Sequence, residues 1–425
     1  MKIKTVRMPY EAVMALPNRK HKQPEKPSKL IKKLAISLSK KELKEVRFHY
    51  NDNTEGLISS DVPCLVLMNH SSFIDLKIAE TIFKNQNLQI VCTSDGFVGK
   101  EWLIRKVGCI PTQKFVTDLM LVKDMKYCVD KLRTSILMFP EASYSFDGTA
   151  TPLPDSLGKL IKFLNVPVIF VETKGAFHRD PLYNGLRLRD VKVSADVSLA
   201  FSKEDIKKCS VNEINAHLKS LYSFDYFKWQ EDSLVEVKED FRTLGLERVL
   251  YKCPCCNTEG KMKGTGVELE CGACESVFYM DELGKMSIRK NQNTDEGKDF
   301  SLKHIPDWYA WERECVRKEI EDETYQMDIP VDIKILKDFN AIYEVGEGRL
   351  VHNKDGFHLT GCDGKLDYVQ GTKSSYSLYA DYFWYEIGDM ICIGDNKILY
   401  YCFPKDNAVN VAKARLAAEE LYKVK

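Results

Sequence analysis

The sequence lacks both an apolar run long enough to cross a membrane and an excess of one charge. A spanning helix needs about 18 or more consecutive apolar residues, and none of the 425 positions begins such a run. Lysine plus arginine and aspartate plus glutamate both number 62, so no overall basic field favours nucleic acid as a partner. The N-terminal segment also lacks the apolar core of a secretory signal peptide. We therefore expect a cytoplasmic protein without a transmembrane helix.

Most of the fourteen cysteines are scattered through apolar stretches, which indicates buried thiols in a reducing compartment and not a disulfide scaffold. The exception is a cluster of two Cys-x-x-Cys pairs separated by fourteen residues. This spacing is typical of a zinc ribbon, in which four thiolates hold one structural Zn²⁺. The predicted ligands are Cys253, Cys256, Cys271 and Cys274. A redox dithiol and an iron site are the alternatives, and Cys255 is an alternative ligand in the first pair.

Short apolar runs alternate with helix-like segments over residues 51–245, which predicts an α/β domain with a mixed, largely parallel sheet. The predicted strands are Val62–Met68, Leu88–Thr93, Ile136–Phe139 and Val166–Val171. The predicted helices are Leu76–Lys84, Thr117–Leu132 and Leu157–Leu164.

The C-terminal part has a different texture. From residue 331 to residue 425, short runs rich in aromatic and β-branched residues alternate with turn signals, which predicts a mostly antiparallel β domain. A terminal amphipathic helix follows, which Asp406 or Asn407 can cap. Strands closed by one C-terminal helix resemble the pleckstrin-homology-like barrel. The zinc ribbon occupies 250–290, and 291–330 is predicted to be a linker and a helix.

Residues 1–50 form a basic amphipathic lead-in. Residues 19–47 hold eleven lysines or arginines against three glutamates. Within them Leu30, Ile31, Leu34 and Leu38 share one helical face. Such a helix can lie on an anionic membrane surface. The alternative is a helix that packs its apolar stripe on the adjoining domain.

A histidine and an aspartate stand where the first predicted strand of the α/β domain gives way to a helix. In open α/β sheets, the carboxyl ends of strands are where ligands bind. His70, oriented by Asp75 five positions later, has the chemistry of a general base that removes a proton from a hydroxyl. With an activated thioester as donor, such a base needs no serine or cysteine nucleophile.

Four segments follow one another along this domain: Asn69–Asp75, Val107–Lys114, Phe139–Ser145 and Val166–Ile169. In residues and order they resemble the motifs Asn-His-x-Ser-x-x-Asp, Gly-x-Ile, Phe-Pro-Glu-Gly-Thr-Arg-Ser and Val-Pro-Val-Ile. These are the motifs of the glycerolipid acyltransferase family, which includes 1-acylglycerol-3-phosphate O-acyltransferases and lysophospholipid acyltransferases. The resemblance covers about residues 50–225, so that 51–245 is interpreted as an acyltransferase domain.

The resemblance implies transfer of an acyl chain from acyl-CoA or acyl-carrier protein to a lysophospholipid hydroxyl, with His70 as base and Asp75 as its partner. It implies substrate-binding roles for Asn69, Ser72, Gly108, Gln113, Lys114, Pro140, Glu141, Ser143 and Tyr144.

Two departures from the family pattern concern the head group of the acceptor. The family's second and third motifs carry arginines, which bind phosphate through a planar fork. Here Gln113 and Tyr144 stand in those places, and the adjacent Lys114 offers only a point charge. The head group of the acceptor is therefore left open. From the basic amphipathic lead-in we expect an enzyme peripherally bound to the inner face of a membrane. The alternative function is a non-catalytic lipid-binding or scaffolding protein on the same fold. His178 is expected to be a solvated loop histidine.

Overall fold

The computed structural model describes residues 2–290, 300–405 and 411–424. The strands are β1 Thr5–Arg7, β2 His49–Asn53, β3 Leu65–Met68, β4 Leu88–Thr93, β5 Cys109–Thr112, β6 Ser135–Met138, β7 Val168–Lys174, β8 Ser194–Phe201, β9 Met262–Thr265, β10 Glu268–Cys271, β11 Val277–Met280, β12 Met286–Lys290, β13 Met327–Leu336, β14 Ile342–Asn353, β15 Gly356–Gly361, β16 Leu366–Gln370, β17 Tyr379–Trp384, β18 Gly388–Gly394 and β19 Leu399–Pro404. The helices are α1 Tyr10–Met14, α2 Lys29–Glu45, α3 Asp75–Ile82, α4 Glu101–Val107, α5 Leu119–Tyr127, α6 Leu157–Leu164, α7 Ala176–Arg179, α8 Lys203–Lys208, α9 Val211–Leu221, α10 Tyr226–Asp232, α11 Ile305–Glu321 and α12 Val411–Lys423. The predicted cap at Asp406 or Asn407 and most of the predicted linker lie outside the described residues.

The α/β domain is built on a seven-stranded sheet in the order β2-β8-β7-β3-β6-β4-β5. Strands β7, β3, β6, β4 and β5 are parallel to one another, whereas β8 runs antiparallel to β7. All four residues of β3 are fully buried, as expected for a central strand covered on both faces. Separate apolar clusters lie against the two faces. The predicted mixed, largely parallel sheet is therefore confirmed.

The element boundaries follow the apolar pattern closely in this domain. Strand β4 and helix α6 have the predicted ends, and the predicted helix over 117–132 divides into α5 and a π-helical turn at Cys128–Leu132. Three strands, β2, β5 and β8, were not predicted. In β8 the even alternation of buried Ala195 and Val197 with outward neighbours is the signal that could have found it. The edge strand β2 carries no such signal, because its residues are mostly polar and exposed.

Strands β9 to β12 form a small four-stranded antiparallel sheet around the cysteine cluster. This sheet packs on helix α11 through the fully buried Trp308, whose indole nitrogen donates to the carbonyl oxygen of Lys252 at 3.0 Å. Phe278 of β11 meets the Trp308 ring edge-on, with centroids 4.8 Å apart. The cluster and the helix after it therefore share one apolar core.

The C-terminal sheet has the strand order β16-β15-β14-β13-β19-β18-β17, and all of these pairs are antiparallel. The sheet consists of two meanders, β13 to β16 and β17 to β19. Strand β13, the first of one meander, pairs with β19, the last of the other. The N-terminal strand β1 adds to this sheet by pairing in parallel with β14. Helix α12 packs against α11, β17 and β18. The predicted antiparallel domain with a terminal helix is confirmed.

Helix α2 turns its apolar stripe outward. Leu30, Leu34 and Leu38 are 78%, 59% and 73% exposed. The helix is held to the α/β domain from its other side, where Leu43 is buried and the Lys32 ammonium donates to the carbonyl oxygen of Phe83 at 2.9 Å. The structure thus contradicts the alternative in which the stripe packs on the domain. No helix among the described residues combines the length and the apolar character that crossing a membrane requires.

Candidate active site

The candidate site lies at the turn between strand β3 and helix α3. His70 Nδ1 is 3.1 Å from Asp75 Oδ2. The same carboxylate oxygen accepts the backbone N–H groups of Ser71 at 2.8 Å and Ser72 at 3.0 Å. Asp75 begins the helix and is fully buried, so its carboxylate folds back over the turn that precedes it. These bonds fix the side chain of Asp75 and, through it, the orientation of the imidazole.

Two aromatic rings enclose the His70 imidazole. The Phe139 and Tyr144 rings each lie with their centroids 4.1 Å from that of His70, at interplanar angles of 25° and 34°. This burial lowers the pKa of His70 below its ordinary value, although the hydrogen bond to Asp75 opposes the shift. A histidine of lowered pKa is neutral at pH 7, which is the form able to accept a proton.

Glu141 is a structural support beneath the histidine. Its Oε2 accepts the backbone N–H of His70 at 3.0 Å, and its Oε1 accepts the backbone N–H of Thr151 at 2.8 Å. Burial raises the pKa of Glu141 to about 7, against these two hydrogen bonds. The next residue, Ala142, has a φ of 55°, which explains why the resembled motif has glycine there. Glu141 therefore ties the third motif to the first.

Three further residues with predicted substrate-binding roles lie, like Glu141, in supporting positions. Asn69 bridges to strand β7, where its Oδ1 accepts the N–H of Thr173 at 2.8 Å. The Ser72 hydroxyl donates to the carboxylate of Asp180, and the Ser143 hydroxyl lies 3.4 Å from the guanidinium of Arg415. Asn69, Ser72, Glu141 and Ser143 are all buried behind the imidazole and do not line the cavity described below.

Gly108 also serves the fold and not the cavity. It ends helix α4 with a φ of 105°, a conformation that side chains rarely adopt. A β-carbon there would lie 2.6 Å from the Cγ of Pro27 and 3.0 Å from the backbone oxygen of Leu88. The glycine therefore allows the chain between α4 and β5 to pass close to the N-terminal segment.

A cavity of about 1650 Å³ opens in front of His70. Of the predicted residues, Gln113, Lys114, Pro140 and Tyr144 line it together with His70. The cavity is larger than the roughly 300–1,000 Å³ of most ligand sites. Its opposite wall comes from the C-terminal domain, notably from Tyr376 to Glu386.

Sequence reasoning missed the residues that join the two domains at this wall. The hydroxyl of Tyr379 and the indole N–H of Trp384 both donate to Asp95 Oδ2, at 2.8 and 3.1 Å. Arg415 of helix α12 lies 3.4 Å from the backbone oxygen of Tyr144 and 3.2 Å from the carboxylate of Glu419. Arg415 and Glu419 lie one turn apart on α12, whereas the contacts of Asp95 and Tyr144 link positions hundreds of residues apart. No local sequence pattern signals these long-range contacts.

The structure corrects the expectation for His178. It is 1% exposed, and its Nε2 donates to the backbone oxygen of Tyr226 at 2.9 Å. Burial lowers its pKa to about 3. The expected solvated loop histidine is therefore wrong, and His178 is a neutral core residue. Its neighbour Asp180, which accepts from Ser72, has its pKa raised to about 7 by burial.

The four predicted metal ligands come together. The Sγ atoms of Cys253, Cys256, Cys271 and Cys274 all lie within 4.8 Å of one another. Two of the sulfur–sulfur distances are 3.7 Å. A tetrahedron with Zn–S bonds of about 2.3 Å has edges of about 3.8 Å, so these two distances match a zinc site and the cluster could hold the ion. Cys255 is exposed and lies outside this cluster.

Comparison with known proteins adds three findings. Residues 45–172 match the family model described as Acyltransferase. A 1-acyl-sn-glycerol-3-phosphate acyltransferase, BAT2 (chloroplastic) of Brassica napus, is 26% identical over 125 residues, which are 28% of this chain and 36% of that protein. The chain thus spans about a third of the length of this curated relative. The crystal structure of the 1-acyl-sn-glycerophosphate acyltransferase PlsC from Thermotoga maritima is 19% identical, with a TM-score of 0.35, over 45% of this chain and 76% of that one.

Proposed function

We propose that this chain transfers an acyl chain from a thioester donor to the hydroxyl of a lysophospholipid. The match of residues 45–172 to the acyltransferase family model supports this proposal. The observation that carries the proposal is the buried Asp75 carboxylate, which holds His70 at the wall of a large cavity. The donor is acyl-CoA or acyl-carrier protein. Because Nδ1 is bound to Asp75, the other ring nitrogen, Nε2, is the atom that faces the substrate.

The reaction needs one base and a good leaving group. Nε2 of His70 takes the proton of the acceptor hydroxyl while the hydroxyl oxygen attacks the thioester carbonyl. The C–S bond then breaks, and the imidazolium returns the proton to the departing thiolate. Asp75 stabilises the imidazolium between these steps. A base of this kind contributes about 10²–10⁴-fold to the rate.

Acyl transfer from labelled acyl-CoA and acyl-carrier protein to a panel of lysolipids tests the proposal. We expect product from the native chain and a loss of about 10²-fold or more in His70→Ala. His49→Ala, an exposed histidine of the same domain, is the matched control and should keep full activity. If neither donor yields product while lysolipid still binds, the chain is a lipid-binding or scaffolding protein.

Peripheral binding to the inner face of a membrane is part of this proposal. Its support is the outward apolar stripe of α2, flanked by the exposed Lys33, Lys40 and Lys41. The rim of the cavity is also apolar and exposed at Phe73 and Leu119. Such a surface combines burial of leucines in the lipid boundary with attraction to anionic head groups.

Vesicle flotation tests the membrane surface. The double substitution Leu34→Ser and Leu38→Ser should abolish most binding to vesicles that contain anionic lipid, because it removes the apolar area that would be buried in the lipid. Leu234→Ser is the matched control, since Leu234 is equally exposed, at 74%, but lies far along the chain in a loop. Equal flotation of both variants would contradict the assignment to α2.

We further propose that the cysteine cluster holds one structural Zn²⁺ in a ribbon and that the C-terminal domain is pleckstrin-homology-like. The zinc proposal is supported by the sulfur spacing given above. A set of four thiolates leaves no open position for substrate, so Zn²⁺ would stabilise the ribbon and take no part in acyl transfer. The second proposal is supported by two meanders joined edge to edge and followed by a single helix.

A further inference from the structure

The wall of the cavity opposite the acyltransferase domain carries its own polar and aromatic groups. Asp381 and Tyr385 of the segment Tyr379–Glu386 line the cavity together with Tyr376. Tyr385 and Glu386 have φ values of 48° and 65°, and the strand pairing between β17 and β18 is interrupted between Asp381 and Trp384. This irregularity turns the segment toward the acyltransferase domain, where Asp95 holds it through Tyr379 and Trp384.

Gln113 is a buried amide directed at the same space. It is 5% exposed and lines the cavity, yet neither its oxygen nor its nitrogen has a hydrogen-bond partner among the described residues. An unpaired buried amide is destabilising, because its lost hydrogen bonds to water are not replaced. A ligand that offers an acceptor to the amide nitrogen removes part of this cost. Gln113 therefore points to a polar group of the substrate at this depth.

The adjacent Lys114 does not stand as a free cation. Its ammonium lies 4.1 Å from the centroid of the Tyr379 ring. Burial lowers its pKa, and the carboxylates of Asp381 and Asp95 oppose that shift. These two acidic residues therefore partly offset the charge of Lys114. The guanidinium of Arg415 is likewise matched, because Glu419 lies 3.2 Å away.

Asp381 lines the same cavity as His70 and Tyr144. The Tyr144 ring lies tilted over His70, with centroids 4.1 Å apart, and the pKa of its phenol is raised by burial and then by the carboxylates of Asp75 and Asp381. The pocket between Gln113, Lys114 and Asp381 is therefore part of the cavity that the acceptor hydroxyl must enter to reach His70.

The charges in this pocket discriminate between head groups. A phosphomonoester carries about −1.5 to −2 charges at pH 7 and is best bound by arginine forks, but Gln113 and Tyr144 occupy those places. Burial raises the pKa of Asp381 to about 7, so its carboxyl is partly ionised at pH 7. A bound ammonium favours the ionised form, which repels a phosphomonoester. A phosphodiester followed by an ammonium carries one charge of each sign. Its phosphate matches Lys114 and Gln113. Its ammonium matches Asp381 and the face of an aromatic ring such as Tyr385.

We propose that the C-terminal domain completes the acceptor site, and that the pocket between Gln113, Lys114 and Asp381 selects a lysolipid with a zwitterionic phosphodiester–ammonium head group over a phosphomonoester. This inference rests on the proposed function for the hydroxyl that reacts, but the head-group site can be measured without the reaction.

Binding is measured with the inactive His70→Ala chain and short-chain lysolipids below their micelle concentration. The three probes are lysophosphatidylcholine, lysophosphatidate and lysophosphatidylglycerol, which has a polyol head group. We expect lysophosphatidylcholine to bind about tenfold or more tightly than the other two. The substitution Asp381→Asn, made in the His70→Ala chain, keeps the side-chain acceptor for the N–H of Tyr382 and should remove this preference. Asp367→Asn, an exposed aspartate of the same domain, should leave it intact.

Gln113→Leu tests the other side of the pocket. It provides an independent test if the Asp381→Asn variant fails to fold. Because its amide has no protein partner, the substitution should leave the melting temperature unchanged or raised, while binding of lysophosphatidylcholine weakens severalfold. Equal or tighter binding of lysophosphatidate, or a preference that survives Asp381→Asn, would overturn the inference. If the preference is found but the native chain transfers no acyl group, the proposed function fails and the head-group site stands. If the native chain transfers acyl groups but acylates lysophosphatidate best, the proposed function stands and the inference about the head group fails.

Discussion

Substitution of Asp75 separates two contributions of this residue, its negative charge and its role as a hydrogen-bond acceptor. One carboxylate oxygen accepts from His70 and from the backbone amides of Ser71 and Ser72. The other has no partner among the described residues. In Asp75→Asn the amide oxygen can take the first position and keep all three donors, while the amide nitrogen takes the unpartnered position. The imidazole then keeps its tautomer and loses only the charge beside it.

The expected magnitudes follow from these contacts. A hydrogen bond to a charged group contributes about 1–1.5 kcal/mol more than a neutral one, so Asp75→Asn should lower kcat by about tenfold with little change in stability. Asp75→Ala leaves two buried backbone N–H groups without an acceptor, at about 1–3 kcal/mol each. We expect it to lower the free energy of unfolding by about 2–6 kcal/mol and acyl transfer by about 10²–10⁴-fold.

The assay pairs kcat with urea unfolding for the native chain and both variants. The reasoning would be refuted if Asp75→Asn were as inactive as Asp75→Ala while it kept native stability, because the charge or the tautomer would then outweigh orientation. Full activity of Asp75→Ala in a folded protein would instead remove the dyad from the mechanism.

Three further predictions concern pH, metal and backbone. Because burial lowers the pKa of His70 and the neutral form is active, acyl transfer should be full at pH 7 and should fall only as pH drops through a midpoint below about 6.5; a midpoint at or above 7 would contradict this. Cys271→Ser should lose bound zinc by atomic absorption and melt at a lower temperature, whereas Cys255→Ser should keep both; equal zinc content in both variants would contradict the ligand set. Ala142→Gly relieves a left-handed backbone and should raise the free energy of unfolding by about 0.5–1 kcal/mol in urea; a loss of stability would show that this backbone carries no strain.

The sequence predicts the α/β domain well because its elements are set by local apolar patterns. Strand β3 is a continuous apolar run and is buried on both faces, and helix α6 shows the period of an amphipathic helix. The turn at His70 could be placed for the same reason, since it follows β3 directly. The roles of Glu141 and Asn69 were less accessible, because their partners lie on other loops and strands.

The second wall of the cavity could not be predicted from the sequence. Asp381 follows Gln113 by more than 260 positions, and what brings them together is the packing of two domains around Asp95. Such packing leaves no period in the sequence. The tyrosines near Trp384 carry only the composition of strands, and that composition gives no sign of a cavity wall.

The N-terminal strand β1 has a consequence for the order of assembly. Arg7 and Glu344 face each other in this pairing although 337 positions separate them. At synthesis rates of about 5–20 residues per second, the first strand waits roughly 17–70 s for its partner. If the α/β domain folds during that interval, it replaces a long flexible loop by a compact bridge and lowers the entropy cost of closure. The β sheet that holds both ends of the described chain would then be completed last, around a domain that is already folded.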